Sequence, residues 1–276
     1  MKILVATDYS ENSKSAIEFA IQLAEQDDNI ELSFFHSLHV GHPFELNDED
    51  FAIMEKNKEQ EDELVLKNFV DGIYKSIQIA PKKHEYIIRE SVVPHGNIIN
   101  YAEKENFDYI CVGARGASKI EKYLGTNTVN IINKTTIPVF AIPATYQSQK
   151  IDKVVYASDF SDVNSELKTV LDFTSGLNTE VEVLHFAFPS ETEQRIKDAE
   201  NLENAHNNEQ IKFTIIPNNA LKPVISNIKN YVRDNKPSLL IMFTVQHKSF
   251  FEKFLFAGNT ESIALRATVP LLVYKK

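Results

Sequence analysis

The residues of this chain best suited to chemistry lie in one stretch, Gly113-Ala-Arg-Gly116 followed at 125–128 by Gly-Thr-Asn-Thr. An apolar run at 109–112 leads into the first glycines, and the second group stands where a helix should open. A glycine after a strand lets the backbone come close to a ligand, because no Cβ intervenes. A helix start rich in hydroxyl residues offers unpaired N–H groups and the positive end of its dipole to an anion. Gly113, Gly116, Gly125, Thr126, Asn127 and Thr128 therefore form a candidate cradle for phosphate. Arg115, between the glycines, would add a two-pronged donor to phosphate oxygens. The plainer reading is a pair of turn glycines and a solvated arginine. Three of only eight glycines fall here, which favours the cradle.

A second candidate is Asp8, which follows Thr7 at the end of an apolar strand, the edge at which open α/β sheets take their ligands. Asp8 could equally serve a turn or helix cap beside Ser10. His36, His39 and His42 have a spacing that invites a metal. On a strand, however, side chains three apart point to opposite faces. No carboxylate or cysteine cluster supports them, and no metal ligand is assigned. His36 has a counterpart in His185, which suggests a packing position in both halves. The one cysteine, Cys111, lies in an apolar strand and reads as a buried inert thiol. The chain has no Gly-x-Ser-x-Gly elbow, Walker A lysine loop, His-Glu-x-x-His or Gly-x-Gly-x-x-Gly, so no catalytic residue is assigned. A phosphate site with no evident base reads as a sensor or a very slow hydrolase.

These residues need a scaffold, and apolar runs predict strands at 2–7, 31–36, 85–89, 109–112 and 139–143. Between them, a helix capped by Ser10 buries Ala16, Ala20, Leu23 and Ala24. Residues 41–50 read as a loop. A long helix follows, burying Leu66, Phe69, Val70, Ile73 and Ile77, with the charged run at 55–63 as its solvated face. Further helices are expected at 97–105 and 127–133. The order then repeats, with strands at 153–157, 181–186, 211–216, 239–243 and 271–274 and helices near 163–177, 191–204, 223–233 and 260–266. Residues 146–150 are the natural linker. Alternating strands and helices imply doubly wound parallel sheets.

The repetition extends to sequence. Lys2-Ile-Leu-Val-Ala-Thr-Asp8-Tyr-Ser10 recurs as Lys153-Val-Val-Tyr-Ala-Ser-Asp159-Phe-Ser161, and Asn127-Thr128 with Ile137-Pro138-Val139 as Asn259-Thr260 with Val269-Pro270-Leu271. Two divergent copies of one architecture are expected. A length of 276 residues suits two domains, and 43% apolar with 25% charged residues is a soluble, globular composition. A net charge of −10 argues against nucleic acid as a partner. A single cysteine excludes a disulfide framework and fits a reducing cytosol. No apolar run reaches the roughly 18–20 residues of a membrane span. Met1-Lys2 leads straight into an apolar strand, so no signal peptide is expected. The expected location is the cytoplasm, with no membrane partner.

With these motifs in hand, the chain resembles the universal stress protein family in a tandem form with two UspA-like domains. The resemblance rests on Thr7-Asp8-Tyr9-Ser10, Gly113-Ala-Arg-Gly116, Gly125-Thr126 and Ile137-Pro138-Val139. It implies an α/β fold of two doubly wound five-stranded parallel-sheet domains, Rossmann-like and adenine nucleotide alpha hydrolase-like, at 1–146 and 150–276. Pseudo-two-fold symmetry would relate them through strands 139–142 and 271–274, making an intramolecular pseudo-dimer that can dimerise further. The resemblance also implies an adenine nucleotide, ATP or ADP with Mg²⁺, in the first domain. Its nucleotide residues would be Thr7, Asp8, Ser37, Gly113, Arg115, Gly116, Gly125, Thr126, Asn127 and Thr128, with Asp8 helping to hold the divalent ion and Ser37 beside the adenine.

ATP-binding members carry Gly-x2-Gly-x9-Gly-Ser/Thr, whereas residues 117–124 leave eight positions between Gly116 and Gly125. The second copy has Ala257 and Gly258 where Gly125 and Thr126 stand, and Phe250, Phe251, Phe254 and Phe256 crowd the preceding loop. It is expected to have lost nucleotide binding. The expected function is a stress-response sensor or regulator, with at most a weak ATPase or autophosphorylating activity. The alternative is an interaction module without nucleotide, whose Phe-rich half takes an unknown protein partner or an apolar metabolite.

Overall fold

A computed structural model of the chain describes residues 1–39, 47–114, 126–205, 211–218, 223–244 and 269–275. The chain forms two compact units, Met1–Ser148 and Gln149–Lys276. In the first unit the strands are β1 (Lys2–Thr7), β2 (Glu31–Leu38), β3 (His84–Glu90), β4 (Tyr109–Ala114) and β5 (Val139–Pro143). All pair in parallel, in the order β3-β2-β1-β4-β5. Ile3, Leu4 and Val5 are fully buried and every residue of β5 is buried, as expected of strands covered on both faces. The chain winds outward from β1 to β3 and returns on the other side of β1 as β4. The β1–β4 boundary is therefore the point where the winding reverses and where such sheets open a crevice.

The helices of this unit are α1 (Glu11–Gln26), α2 (Asp48–Ile77), α3 (Pro94–Lys104) and α4 (Thr126–Lys134). Ser10 caps α1, its side chain accepting from Ser13 N. Ala16, Ile17, Ala20, Leu23 and Ala24 form the buried stripe of α1. The long helix α2 begins inside the expected loop, because Asn47 Oδ1 accepts from the Glu49 and Asp50 amides at 3.1 and 2.9 Å. Leu66, Val70, Ile73 and Tyr74 bury its inner face. The run at 55–63 is not uniformly solvated: the Asp62 side chain is only 13% exposed and turns toward His36.

In the second unit the strands are β6 (Lys153–Ala157), β7 (Glu180–Ala187), β8 (Ile211–Pro217), β9 (Leu239–Thr244) and β10 (Leu271–Lys275). They pair in parallel in the order β10-β9-β6-β7-β8. The helices are α5 (Val163–Thr174), α6 (Thr192–Ala205) and α7 (Val224–Asn235). The helix expected at 260–266 lies outside the described residues. Among the described residues no helix is long and apolar enough to cross a membrane.

Register makes the two units directly comparable. Ile3 pairs with Tyr109 as Val154 pairs with Leu239. Val5 therefore corresponds to Tyr156 and Gly113 to Phe243. Gly113 pairs with Ile142 as Phe243 pairs with Tyr274.

Candidate functional site

The C-terminal end of β1 turns sharply into α1, and hydroxyl groups hold the turn. Thr7 Oγ1 donates to Ser13 Oγ at 2.8 Å and accepts from Tyr9 N at 3.0 Å. Ser13 Oγ donates in turn to Ser10 O at 2.9 Å. Asp8 Oδ1 accepts from Ser10 N at 3.1 Å and from Ser10 Oγ at 2.5 Å. This is the turn geometry that a short carboxylate side chain makes with its own backbone two residues on. Partial burial acts to raise the Asp8 pKa, but the bonds from Ser10 outweigh it, and the carboxyl titrates below its ordinary value. Asp8 is thus an exposed, ionised carboxylate at the mouth of the β1–β4 crevice.

Tyr9 adopts φ 62°, the left-handed region that bulky residues seldom enter. Such a residue costs on the order of 1–2 kcal/mol and needs support from its surroundings. Its ring stacks on His36 with centroids 4.4 Å apart, and its edge meets Phe69 at 5.6 Å. His36 Nδ1–H donates to Thr7 O at 2.8 Å. The tautomer follows from the partner, since a carbonyl only accepts.

Gly113 is the fifth residue of β4 rather than the start of a loop. A Cβ there would stand 2.4 Å from Asn12 O and 2.6 Å from Asn12 C. Its missing side chain admits the first turn of α1, so the glycine serves helix–strand approach. Thr128 in the first turn of α4 donates from Oγ1 to Gly113 O at 3.0 Å, fixing that helix start to the end of β4. Asn127 beside it is exposed. Thr126 opens α4. Arg115, Gly116 and Gly125 lie outside the described residues, as does His42.

Ser37 is the penultimate residue of β2, and its Oγ accepts from Asn97 Nδ2 at 2.9 Å. The same amide group donates to Arg89 O at 3.0 Å. Thr7, Asp8, Gly113 and Thr128 thus come together at the β1–β4 crevice, while Ser37 sits one strand over on β2. Cys111 is fully buried, its Sγ donating to Ala16 O at 3.6 Å, and burial pushes the thiol pKa up. Sequence reasoning missed Asp62, Asn97 and Ser13. Asp62 lay in a charge run, Ser13 read as an ordinary helix residue beside the cap, and Asn97 meets Ser37 only through tertiary packing.

The second unit repeats the turn. Phe160 also adopts φ 62°, its N donates to Ser158 Oγ at 3.0 Å, and Ser161 N donates to Asp159 Oδ1 at 2.8 Å. His185 Nδ1–H donates to Ser158 O at 2.8 Å, as His36 does to Thr7. The crevice differs. Phe243 replaces Gly113, stacking on Tyr274 at 4.8 Å and meeting the edge of Tyr156 at 5.5 Å. The Tyr156 hydroxyl bonds the buried Glu166 carboxylate and Ser158 Oγ. Three rings occupy the register positions that hold Val5, Gly113 and Ile142 in the first unit.

Residues 1–143 match the model of the Universal stress protein family, and the chain belongs to that family. No relative among curated proteins matches it. Among solved structures, a universal stress protein from Archaeoglobus fulgidus DSM 4304 is 20% identical with a TM-score of 0.70, covering 99% of this chain and 98% of its own. A functionally unknown protein from Pseudomonas aeruginosa PAO1 is 14% identical with a TM-score of 0.55, over 99% of this chain and 92% of its own. These two likenesses concern the fold. A universal stress protein solved in complex with cAMP is 14% identical with a TM-score of 0.37, over 54% of this chain and 98% of its own.

Proposed function

We propose that the first unit of this universal stress protein family member binds an adenine nucleotide, ATP or ADP with Mg²⁺, at its β1–β4 crevice. The chain then acts as a stress-response sensor or regulator rather than an efficient enzyme. The observation that carries the reading is the contrast between the two units. They share the strand order, the left-handed aromatic turn and the histidine bond. In the first, Gly113 lets the first turn of α1, with its serine-lined turn, close against β4, and in the second Phe243 stands at that position with Tyr156 and Tyr274 against it.

Each residue then has a part consistent with its chemistry. Asp8, held ionised by Ser10, suits a hard divalent cation, which prefers oxygen ligands. Thr128 ties the first turn of α4 to the end of β4, which suits a helix N-terminus offered to an anion. Arg115, Gly116, Gly125 and Thr126 would receive the phosphates, a role that rests on their types and spacing.

Isothermal titration of the purified full chain with ATP–Mg²⁺ and ADP–Mg²⁺ tests this, with AMP and cAMP as competitors. The expected result is one site per chain. A ligand that binds only the folded state raises stability, by about 2.7 kcal/mol at a hundredfold excess over Kd. Absence of heat and of any melting shift with both nucleotides overturns the reading, and two sites per chain overturn its restriction to the first unit.

A further inference from the structure

We propose that Asp62, midway along α2, is a positioning residue for the nucleotide turn, acting on Asp8 through His36 and Tyr9. The proposal rests on the nucleotide reading above and adds a residue remote from the crevice to it. Asp62 Oδ2 lies 3.4 Å from His36 Nε2, with both side chains largely buried, at 13% and 16% exposure. With Nδ1–H already bonded to Thr7 O, the contact is attractive when a second proton lies on the Nε2 side, and at 3.4 Å it is an ion pair rather than a well-formed hydrogen bond. The other ring nitrogen of His36 bonds Thr7 O at 2.8 Å, the carbonyl immediately before Asp8. Both nitrogens of His36 therefore face oxygen, which fixes the ring in its plane.

The fixed ring is the surface on which Tyr9 rests. Phe69, two turns along α2 from Asp62 and on the same side of the helix, meets Tyr9 from another direction at 5.6 Å. The Tyr9 hydroxyl reaches the Asp62 backbone carbonyl at 3.5 Å. Burial, and then the Asp62 charge, push the phenol pKa up, so it stays a neutral donor. The residues on either side of Asp8 are thus both held, Thr7 by its carbonyl through His36 of β2 and Tyr9 directly from α2. Only between them does the Asp8 side chain project to solvent.

The second unit separates this role from simple maintenance of the turn. Phe160 keeps φ 62° and lies 4.8 Å from His185, which keeps its bond to Ser158 O. The helix behind it supplies a cation instead: the Arg195 guanidinium sits 5.6 Å over the Phe160 ring. His185 Nε2 and Arg195 Nε are buried with no hydrogen-bond partner among the described residues. The turn therefore forms without a carboxylate behind the histidine. What Asp62 adds in the first unit is an anchor on the second ring nitrogen and so on the orientation of Asp8.

Three full-chain variants test this: Asp62→Ala, Asp62→Asn, and Leu64→Ala as a control on the exposed face of α2, where Leu64 is 60% exposed. Coupling between contacting residues commonly reaches 1.4 kcal/mol, or tenfold in affinity. Asp62→Ala is expected to weaken ATP–Mg²⁺ binding about tenfold by that measure and to shift the ring ¹⁵N resonances of His36. Asp62→Asn, whose side-chain N–H can donate to the Nε2 lone pair of a neutral ring and so still hold it, should recover most of both, and Leu64→Ala should change neither. Asp62→Ala with affinity within about twofold of the parent and an unaltered His36 spectrum overturns the proposal. Should Asp62→Ala not fold, Asp62→Ser is judged by the same criteria. If the parent chain binds no nucleotide, the functional reading falls by itself. Positioning is then judged by hydrogen exchange at amides 8–13, where faster exchange in Asp62→Ala supports it and unchanged exchange overturns it.

Discussion

Gly113 offers the sharpest test of how the site is built. Gly113→Ala places a Cβ 2.4 Å from Asn12 O, 2.6 Å from Asn12 C and 3.0 Å from Ser13 N, all of them backbone atoms. Ordinary contact begins near 3.4 Å, so the first turn of α1 must move by about an ångström. Overpacking of this kind costs about 1–3 kcal/mol. Replacing glycine returns about 0.4–1 kcal/mol by restricting the unfolded chain. The net expectation is a loss of about 1 kcal/mol, or roughly 2–4 °C in Tm for a unit of this size. Gly72→Ala is the control, since a Cβ there meets nothing within 4 Å in the middle of α2. It should gain up to about 1 kcal/mol from helix propensity. Urea unfolding of the full chain, with hydrogen exchange assigning the change to residues 1–148, measures both. Nucleotide affinity should fall as well in Gly113→Ala, because the displaced turn carries Ser10 and Ser13. A Gly113→Ala protein as stable as its parent would refute the packing argument.

Further outcomes follow from the same geometry. Gly116→Val should abolish nucleotide binding while leaving the fold intact, and an unchanged Kd by titration would sink the cradle assignment. Ser10→Ala removes the α1 cap and one bond to Asp8, and should cost about 1 kcal/mol in urea unfolding. Burial first, and then the Arg195 charge, hold the His185 pKa below its ordinary 6.5, against the pull of its bond to Ser158 O. The unfolded chain therefore binds the proton more readily, and stability present above pH 6.5 is lost as pH falls through that value toward the folded pKa. His185→Gln should flatten this acid slope in the second unit, and a slope equal to the parent's would contradict it.

Much of the fold was legible because parallel strands buried on both faces read as unbroken apolar runs. Residues 139–143 and 153–157 were found to the residue. Ends were less legible where a polar group takes an internal partner. Strand β2 continues through His36 and Ser37 to Leu38 because those side chains bond Thr7 and Asn97. Helix α3 starts three residues early, at Pro94, where proline suits the first turn. At the site, Thr7, Asp8, Gly113 and Thr128 could be grouped from motifs alone. The reason for Gly113 could not, since the Asn12 backbone that fills its space lies about a hundred residues away in sequence. Nor did sequence suggest φ 62° at Tyr9, because an aromatic residue carries no signal for that region. Asp62 was hidden in a charged run, where one inward carboxylate looks like its solvated neighbours.

The two copies together decide what Asp8 is for. Asp159 makes the same bond to Ser161 N that Asp8 makes to Ser10 N, although Phe243 stands where the first unit has Gly113. A carboxylate kept in both settings is explained by its acceptor oxygen, which closes the turn. An amide oxygen would serve that purpose equally well. Any role in holding a divalent ion is additional, and it requires the charge. The two roles can be separated in the first unit. Asp8→Asn keeps the acceptor and removes the charge, so stability should remain within about 0.5 kcal/mol of the parent. Mg²⁺-dependent ATP affinity should fall by about tenfold or more, as expected when a charged ligand is lost. Asp8→Ala removes both, adding a stability loss of about 1 kcal/mol for the broken turn bond. Titrating ATP with and without Mg²⁺ against both variants reads the charge, and urea unfolding reads the turn. If Asp8→Asn binds ATP–Mg²⁺ as tightly as the parent, Asp8 is a turn residue alone and the ion must be held elsewhere.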